Sequence, residues 1–373
     1  MFGEISNDQL AIDTAPGILT IDLGALAANY RLLRQRVGSA RVAGVVKADA
    51  YGLGALRVAP TLYAAGCRDF FVAQFSEAQA IRGVIGPEAR LYVLNGLQPG
   101  AEWACAEAGI IPVLNSLDQV ANWSAHARTR GDTLPALLQF DTGMSRLGLP
   151  PEEVETLLAE PARLEGVRVL HVMSHLASAD EPESAQNGAQ LAQMRRFAEA
   201  FAGVEMCFAN SGGIFLGAEY HGTLVRPGIA LYGGAPTMGV PNPMAPVVRL
   251  DVRVVQTRTV PAGAKVGYGG VHVAAREMRL ATIAAGYADG LLRSLSDRGA
   301  AYLGGVRLPI VGRVSMDSLT LDISALPPGA LKLGGLVEIV GAHQTLEDVA
   351  RDAGTIAYEI LTSLGTRYHR IYR

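Results

Sequence analysis

The stretch RVAGVVKADAYGLG, residues 41–54, begins as an unbroken apolar run and stops at an ammonium group. An unbroken run of this length reads as a strand buried on both faces, as in a parallel sheet. Lys47, at its end, therefore needs a reason. Only three of the 32 basic residues are lysines. Lys265 follows the turn signal Pro261-Ala262-Gly263, and Lys332 precedes Gly334-Gly335, so both read as solvated loop residues. Lys47 alone closes an apolar strand.

Working outward, seven more β-rich runs follow: DFFVAQ (69–74), RLYVLNG (90–96), IIPVLN (110–115), PALLQFD (135–141), RVLHVMSHL (168–176), EMCFAN (205–210) and GTLVRPG (222–228). Amphipathic stretches such as SLDQVANWSAHART and PEEVETLLAE separate them. Alternating β and α elements predict a parallel sheet. Eight strands favour a closed (β/α)8 TIM barrel over an open doubly wound sheet, the alternative architecture. After about residue 245 the texture changes to Val-, Ile- and Thr-rich runs broken by Gly and Pro, which predicts a mainly-β C-terminal domain. The expected organisation is an N-terminal tail and strand (1–22) that packs with the β domain, a barrel (23–244) and the β domain (245–373).

Bulk properties narrow the function classes. The 373 residues are 49% hydrophobic and 18% charged, with a formal net charge of −3. This excludes a disordered chain and gives no electrostatic case for nucleic acid or an anionic membrane. Cys67, Cys105 and Cys207 lack metal-ligand spacing, so no metal is expected and a reducing compartment is. The N-terminus shows neither a basic nor an apolar leader segment, and no run is long enough to span a bilayer. A cytoplasmic protein is expected.

In a barrel of this type, chemistry gathers at the C-terminal ends of the strands. There the sequence puts Lys47, then Asp141 with Arg146 close behind, Ser174-His175, Asn210-Ser211-Gly212-Gly213, and Arg226-Pro227-Gly228-Ile229. Taken singly, His175 reads as a core histidine and Arg146 as a surface ion-pair residue; five such groups on one rim read as a site. The glycine-bearing loops after strands seven and eight form the usual phosphate cradle of this barrel. A phosphate ligand facing a desolvated lysine points to pyridoxal 5′-phosphate, whose aldehyde such a lysine can take up as a Schiff base.

VVKADAYGLG, DTGMSRLG, SHLASAD, the Asn210-Ser211-Gly212 turn, RPGIALYG, AGYADG and VGRVSMD occur in this order. Together they resemble the alanine racemase family of fold-type III pyridoxal-phosphate enzymes, from about residue 18 to the C-terminus. The resemblance implies interconversion of L-alanine and D-alanine, in the role of supplying D-alanine for peptidoglycan, by a homodimer with shared active sites. By resemblance, Lys47 is the Schiff-base lysine and the base for D-alanine. Tyr287 is the opposite base, lent by the partner subunit. His175 is the residue hydrogen-bonded to that tyrosine, with Arg226 behind it and facing the pyridine nitrogen. Arg146 and the backbone of Met316 resemble the substrate-carboxylate contacts, and Arg146 also the contact to a cofactor oxygen. Tyr51, Asn210, Ser211, Gly228 and Ile229 resemble cofactor contacts, and Asp180 a residue of the substrate entrance. Two further readings share the barrel: a broader-specificity amino-acid racemase, and a non-catalytic pyridoxal-phosphate carrier, against which the AGYADG and SMD segments argue.

The sequence also departs from the family pattern. Many members carry a modified lysine two residues before DTGM; here Gln139 stands there, able to accept from Arg146 but without charge. Leu53 replaces a histidine and Ser315 a cysteine. The C-terminal phosphate-contacting tyrosine of some members corresponds to Thr366, with Tyr368 and Tyr358 nearby.

Overall fold

Each apolar run becomes a short parallel strand, because a barrel offers apolar contacts on both faces of the sheet. The computed structural model describes residues 7–373. The first six residues of the expected N-terminal tail lie outside the described residues. The first barrel strand comes in two halves, Arg41–Val42 and Gly44–Val45, joined through Ala43. Its first half pairs with the last strand, Leu224–Val225, and its second half with the next one, Asp69–Val72. Between them Arg90–Val93, Ile111–Leu114, Leu134–Gln139, Val167–Met173 and Glu205–Cys207 follow in sequence order, all parallel. The sheet thus closes on itself as a (β/α)8 barrel. Phe70, Phe71, Val72, Leu91, Tyr92 and Val93 are fully buried in it. Burying each such side chain contributes about 1.5–3 kcal/mol.

The intervening helices follow from their own signals. Leu117–Arg130 buries Val120, Trp123, Ser124 and Ala127, one helical stripe. Ser116 caps its start by accepting from Gln119 N at 3.3 Å, and Gly131, at φ 69°, ends it.

The strands stop earlier than the apolar runs do. The fifth ends at Gln139, not Asp141, and the seventh at Cys207, not Asn210. The physical reason at the fifth is local: the Asp141 carboxylate gathers the N–H groups of Gly143, Met144 and Ser145 at 2.9, 3.0 and 3.1 Å and turns the chain out of the ladder. The residues expected to carry function therefore sit in loops just past the strand ends, on a rigid scaffold.

The chain divides into two compact units. One is Leu26–Ala245, which holds the barrel; the other joins the described residues up to Ala25 to Pro246–Arg373. In the second unit the 13-residue strand Val248–Val260 is the spine. Gly17–Ile21 and Leu336–Val340 pair antiparallel with its first half and Met278–Ile283 with its second. Gly17–Ile21 also pairs parallel with the C-terminal strand His369–Tyr372. Among the described residues, no helix is long and apolar enough to cross a membrane.

Candidate active site

Lys47 does not extend its strand; it opens a short turn of the wrong hand. Ala48, Asp49, Ala50 and Tyr51 all have φ between 52° and 57°. Four consecutive non-glycine residues in the left-handed region are costly, roughly 1–2 kcal/mol each. Hydrogen bonds offset this cost. Ala48 N donates to Glu77 Oε1 at 2.6 Å, Ala50 N to Val46 O at 2.9 Å and Gly52 N to Ala48 O at 2.7 Å. Asp49 Oδ1 caps the next helix through Ala55 N at 2.7 Å. The turn delivers Lys47 and, four residues on, Tyr51 from one rigid segment. Ala48→Gly is expected to raise stability by up to about 1 kcal/mol, whereas the same change in a right-handed helix lowers it by that much. Thermal denaturation of the variant checks this.

Tyr51 is buried against Tyr232, ring centroids 4.6 Å apart, and the Tyr232 hydroxyl donates to Val45 O at 2.8 Å. The Tyr51 hydroxyl lies so close to Gly228 that a Cβ there would collide with it. Ser211 Oγ accepts from Gly228 N at 2.9 Å and Ala230 N at 3.2 Å, at the start of the helical turn Ile229–Tyr232. Two hydroxyls and the first amides of a helical turn thus meet in one small cradle, the donor set that takes a phosphate. Asn210 is tied into its own loop. Its carboxamide accepts from Gly213 N at 2.9 Å and donates to Leu176 O at 3.2 Å, fixing the loop that carries Ser211.

Arg226 is buried and bound on nearly every side. Nη2 donates to Ser174 O at 2.7 Å and meets His175 Nδ1 at 3.4 Å; Nη1 donates to Cys207 O at 3.1 Å, with Cys207 Sγ at 3.2 Å and Phe208 O at 3.4 Å. Nε is the one guanidinium nitrogen without an acceptor among the described residues. His175 is held neutral: burial, then Arg226, Arg146 and Lys47, push its imidazole down to about 3. With Nδ1 facing a donor, its proton belongs on Nε2. Between pH 6.5 and about 3 the unfolded chain binds a proton here that the folded chain refuses, so stability falls as pH falls through that window. His175→Gln is expected to flatten that decline, as read by melting temperature against pH.

Burial also pushes the Lys47 ammonium below its ordinary value, with Arg146 and Arg226 adding to the effect and Glu77 opposing it. Lys47 and His175 both feel the charges of Arg146 and Arg226. In cofactor-free protein, competitive acylation of Lys47 is expected to show a pH midpoint below 10.5. A midpoint at or above that value would contradict the desolvated amine.

In the second unit, Tyr287 and Met316 lie on two touching turns. Tyr287 N donates to Ser315 O and Ala288 N to Met316 O, each at 3.0 Å. Gly286 has no room for a side chain, because the carbonyls of Ser315 and Met316 fill the space. Tyr287 and Met316 are nonetheless 44% and 53% exposed, large apolar surface turned outward from the unit that builds them.

The family described as "Alanine racemase, N-terminal domain" matches residues 21–236, and "Alanine racemase, C-terminal domain" matches residues 247–372. The chain belongs to the alanine racemase family. It is 66% identical over 359 residues to the "Alanine racemase, catabolic" of Rhizobium johnstonii, covering 96% of this chain and 95% of that one. Its identity to the alanine racemase of Brucella canis is 57% over 371 residues, covering 96% and 94%. The alanine racemase structure of Bartonella henselae, which carries covalently bound pyridoxal phosphate, superposes with a TM-score of 0.93 at 45% identity, covering 96% of this chain and all of that one.

Arg146, the residue expected at the substrate carboxylate, is loosely anchored. Arg146 is exposed, follows Ser145 at φ 55°, and makes no side-chain hydrogen bond or ion pair among the described residues. Gln139, able to accept from Arg146 but uncharged, is buried at its strand end and makes no bond to it among the described residues. At the C-terminus, Tyr368 is buried with its ring against Gly17 and its hydroxyl without a partner among the described residues, while Thr366 and Tyr358 are exposed. Sequence reading missed Gln190, from the helix Ala185–Ala200. Its amide nitrogen donates to Thr142 Oγ1 at 3.1 Å and His175 O at 2.9 Å, tying the Arg146 and His175 loops together. A glutamine in a polar helix carries no local mark of that task.

Proposed function

We propose that the protein interconverts L-alanine and D-alanine with pyridoxal phosphate, using Lys47 and Tyr287 as bases on opposite faces of the substrate. The observation that carries this reading is the grouping of Lys47, Arg146, His175 and Arg226 beside the cradle of Tyr51, Ser211 and Gly228. The cradle suits the phosphate, the depressed Lys47 amine suits an aldehyde carbon, and the spare Arg226 Nε–H suits a ring nitrogen. When bound, pyridoxal phosphate supplies the electron sink that makes an α-proton removable.

The remaining work falls to the chain. Lys47 Nζ takes or returns the proton of D-alanine on one face, and Tyr287 Oη does so for L-alanine on the other. His175, neutral and donating from Nε2, orients the tyrosine oxygen, and Arg226 behind it supplies fixed positive charge. A guanidinium offers donors only, so it meets a ring nitrogen that stays an acceptor. Arg146 and the Met316 amide hold the substrate carboxylate.

Tyr287 and Met316 are lent by a second copy of the chain in a homodimer; their outward exposure supports this arrangement. The domain limits 1–22, 23–244 and 245–373 are kept as the working division, and the family match across 247–372 speaks against a barrel-only carrier. A cytoplasmic setting fits the three buried free cysteines. A racemase of two mirror-image molecules has no intrinsic direction, so the role is set by what the cell consumes. Relatives from Rhizobium johnstonii and Agrobacterium fabrum, at 66% and 63% identity, are named catabolic. That supports alanine breakdown as the role ahead of peptidoglycan supply. Gene deletion separates the two: loss of growth on alanine supports the first, and a D-alanine requirement the second. Incubating the holoenzyme with each L-amino acid and measuring product chirality tests the activity. Racemisation of alanine is expected, and optically stable alanine would end this reading.

A further inference from the structure

We propose that Arg367 is a positioning residue that locks the Tyr287 turn and the Met316 turn into one body. The inference rests on the roles given above to Tyr287 and Met316. Asp289 lies two residues after Tyr287, is fully buried, and closes that turn by accepting from Gly286 N at 3.0 Å. Arg367 grips this carboxylate with two donors, Nε to Oδ1 at 2.6 Å and Nη2 to Oδ2 at 2.7 Å. Its Nη1 reaches Asp317 Oδ1 at 2.7 Å, and Asp317 directly follows Met316. One guanidinium therefore spans both turns, and its planar fork is the only side chain that can do so with three directed bonds. The backbone supports the clamp: Gly365 N donates to Asp289 O at 3.2 Å, and the two turns are already joined by the Tyr287–Ser315 and Ala288–Met316 bonds. The LGTRYHR segment thus contributes its arginine.

The consequence is a fixed distance between the tyrosine oxygen and the amide that holds the carboxylate. A small misplacement of a reacting group costs up to about 10²-fold in rate. Arg367→Lys keeps the charge and loses the fork. Asp317→Asn loosens the Met316 turn and leaves the buried Asp289 pair in place.

The experiment follows D-alanine with holoenzyme in 2H2O, reading deuterium incorporated at the α-carbon with retained configuration against inversion, alongside KM, kcat and melting temperature. Tyr287→Phe serves as the reference, because Lys47 still exchanges the D-alanine proton while inversion stalls. Arg367→Lys is expected to raise the exchange-to-inversion ratio in the same sense, by about tenfold. Asp317→Asn is expected to raise KM several-fold with kcat and melting temperature near wild type. An unchanged ratio and unchanged KM in both variants, with Tyr287→Phe displaced, would overturn the clamp and leave the two-base reading standing. An unchanged ratio in Tyr287→Phe itself would overturn the two-base reading and the clamp with it.

Discussion

Lys47→Ala is expected to leave a folded protein that no longer bonds pyridoxal phosphate and has lost racemase activity by about 10⁴-fold or more. The amine is half-buried at the mouth of the barrel, where burial and the neighbouring arginines keep a larger fraction neutral than water would. A neutral amine is the nucleophile; an ammonium is not. Removing a partly desolvated cation beside Arg146 and Arg226 also relieves repulsion, so the melting temperature is expected to hold or rise. The check is borohydride reduction of the loaded protein followed by peptide mass analysis. Wild type is expected to carry the label on the peptide holding Lys47, and the variant none. With only Lys265 and Lys332 left, label on either would place the attachment elsewhere. Lys47→Arg is expected to be as inactive as the alanine variant, because it restores charge without a nucleophile.

Tyr287→Phe is expected to slow racemisation by about 10²–10⁴-fold, the span of a positioned general acid or base. L- and D-alanine are equal in free energy, so kcat/KM must fall equally in both directions. The asymmetry is expected in exchange with 2H2O instead. D-alanine should take up deuterium without inversion, through Lys47, while L-alanine should not exchange without inverting. Equal exchange from both enantiomers would contradict a base on each face. Tyr287 is 44% exposed in the isolated chain, so loss of its hydroxyl is expected to leave the melting temperature within the small range of surface substitutions.

The barrel was legible because its eight strands are apolar on both faces, a pattern that survives without any knowledge of pairing. Lys47, His175 and Arg226 were legible for the complementary reason: each is a charged or titratable group at the end of an apolar run. The hand of the Lys47 turn was not. Ala48, Asp49, Ala50 and Tyr51 contain no glycine, and the hydrogen bonds that hold them, among them those to Glu77, Val46 and Ala55, leave no mark in the sequence. The carboxamide of Asn210 bonds to Gly213 and Leu176 and so fixes the Ser211 loop, a task its place in a glycine-rich turn does not announce. That Arg146 lacks a charged partner at position 139 was legible, since Gln139 is neutral; where an exposed guanidinium after a left-handed serine points was not. The Arg367 clamp joins residues 50 and 78 positions apart, a pairing that only the folded chain makes visible.

In the proposed dimer each active site takes its lysine from one chain and its tyrosine from another. Mixing the two inactive variants, Lys47→Ala and Tyr287→Phe, with subunit exchange confirmed by mass, tests it most directly. In a hybrid dimer one site carries both lesions and the other carries neither, so equal mixing is expected to restore about a quarter of wild-type activity. Activity that stays at the sum of the two variants would contradict the shared site and return Tyr287 to its own chain.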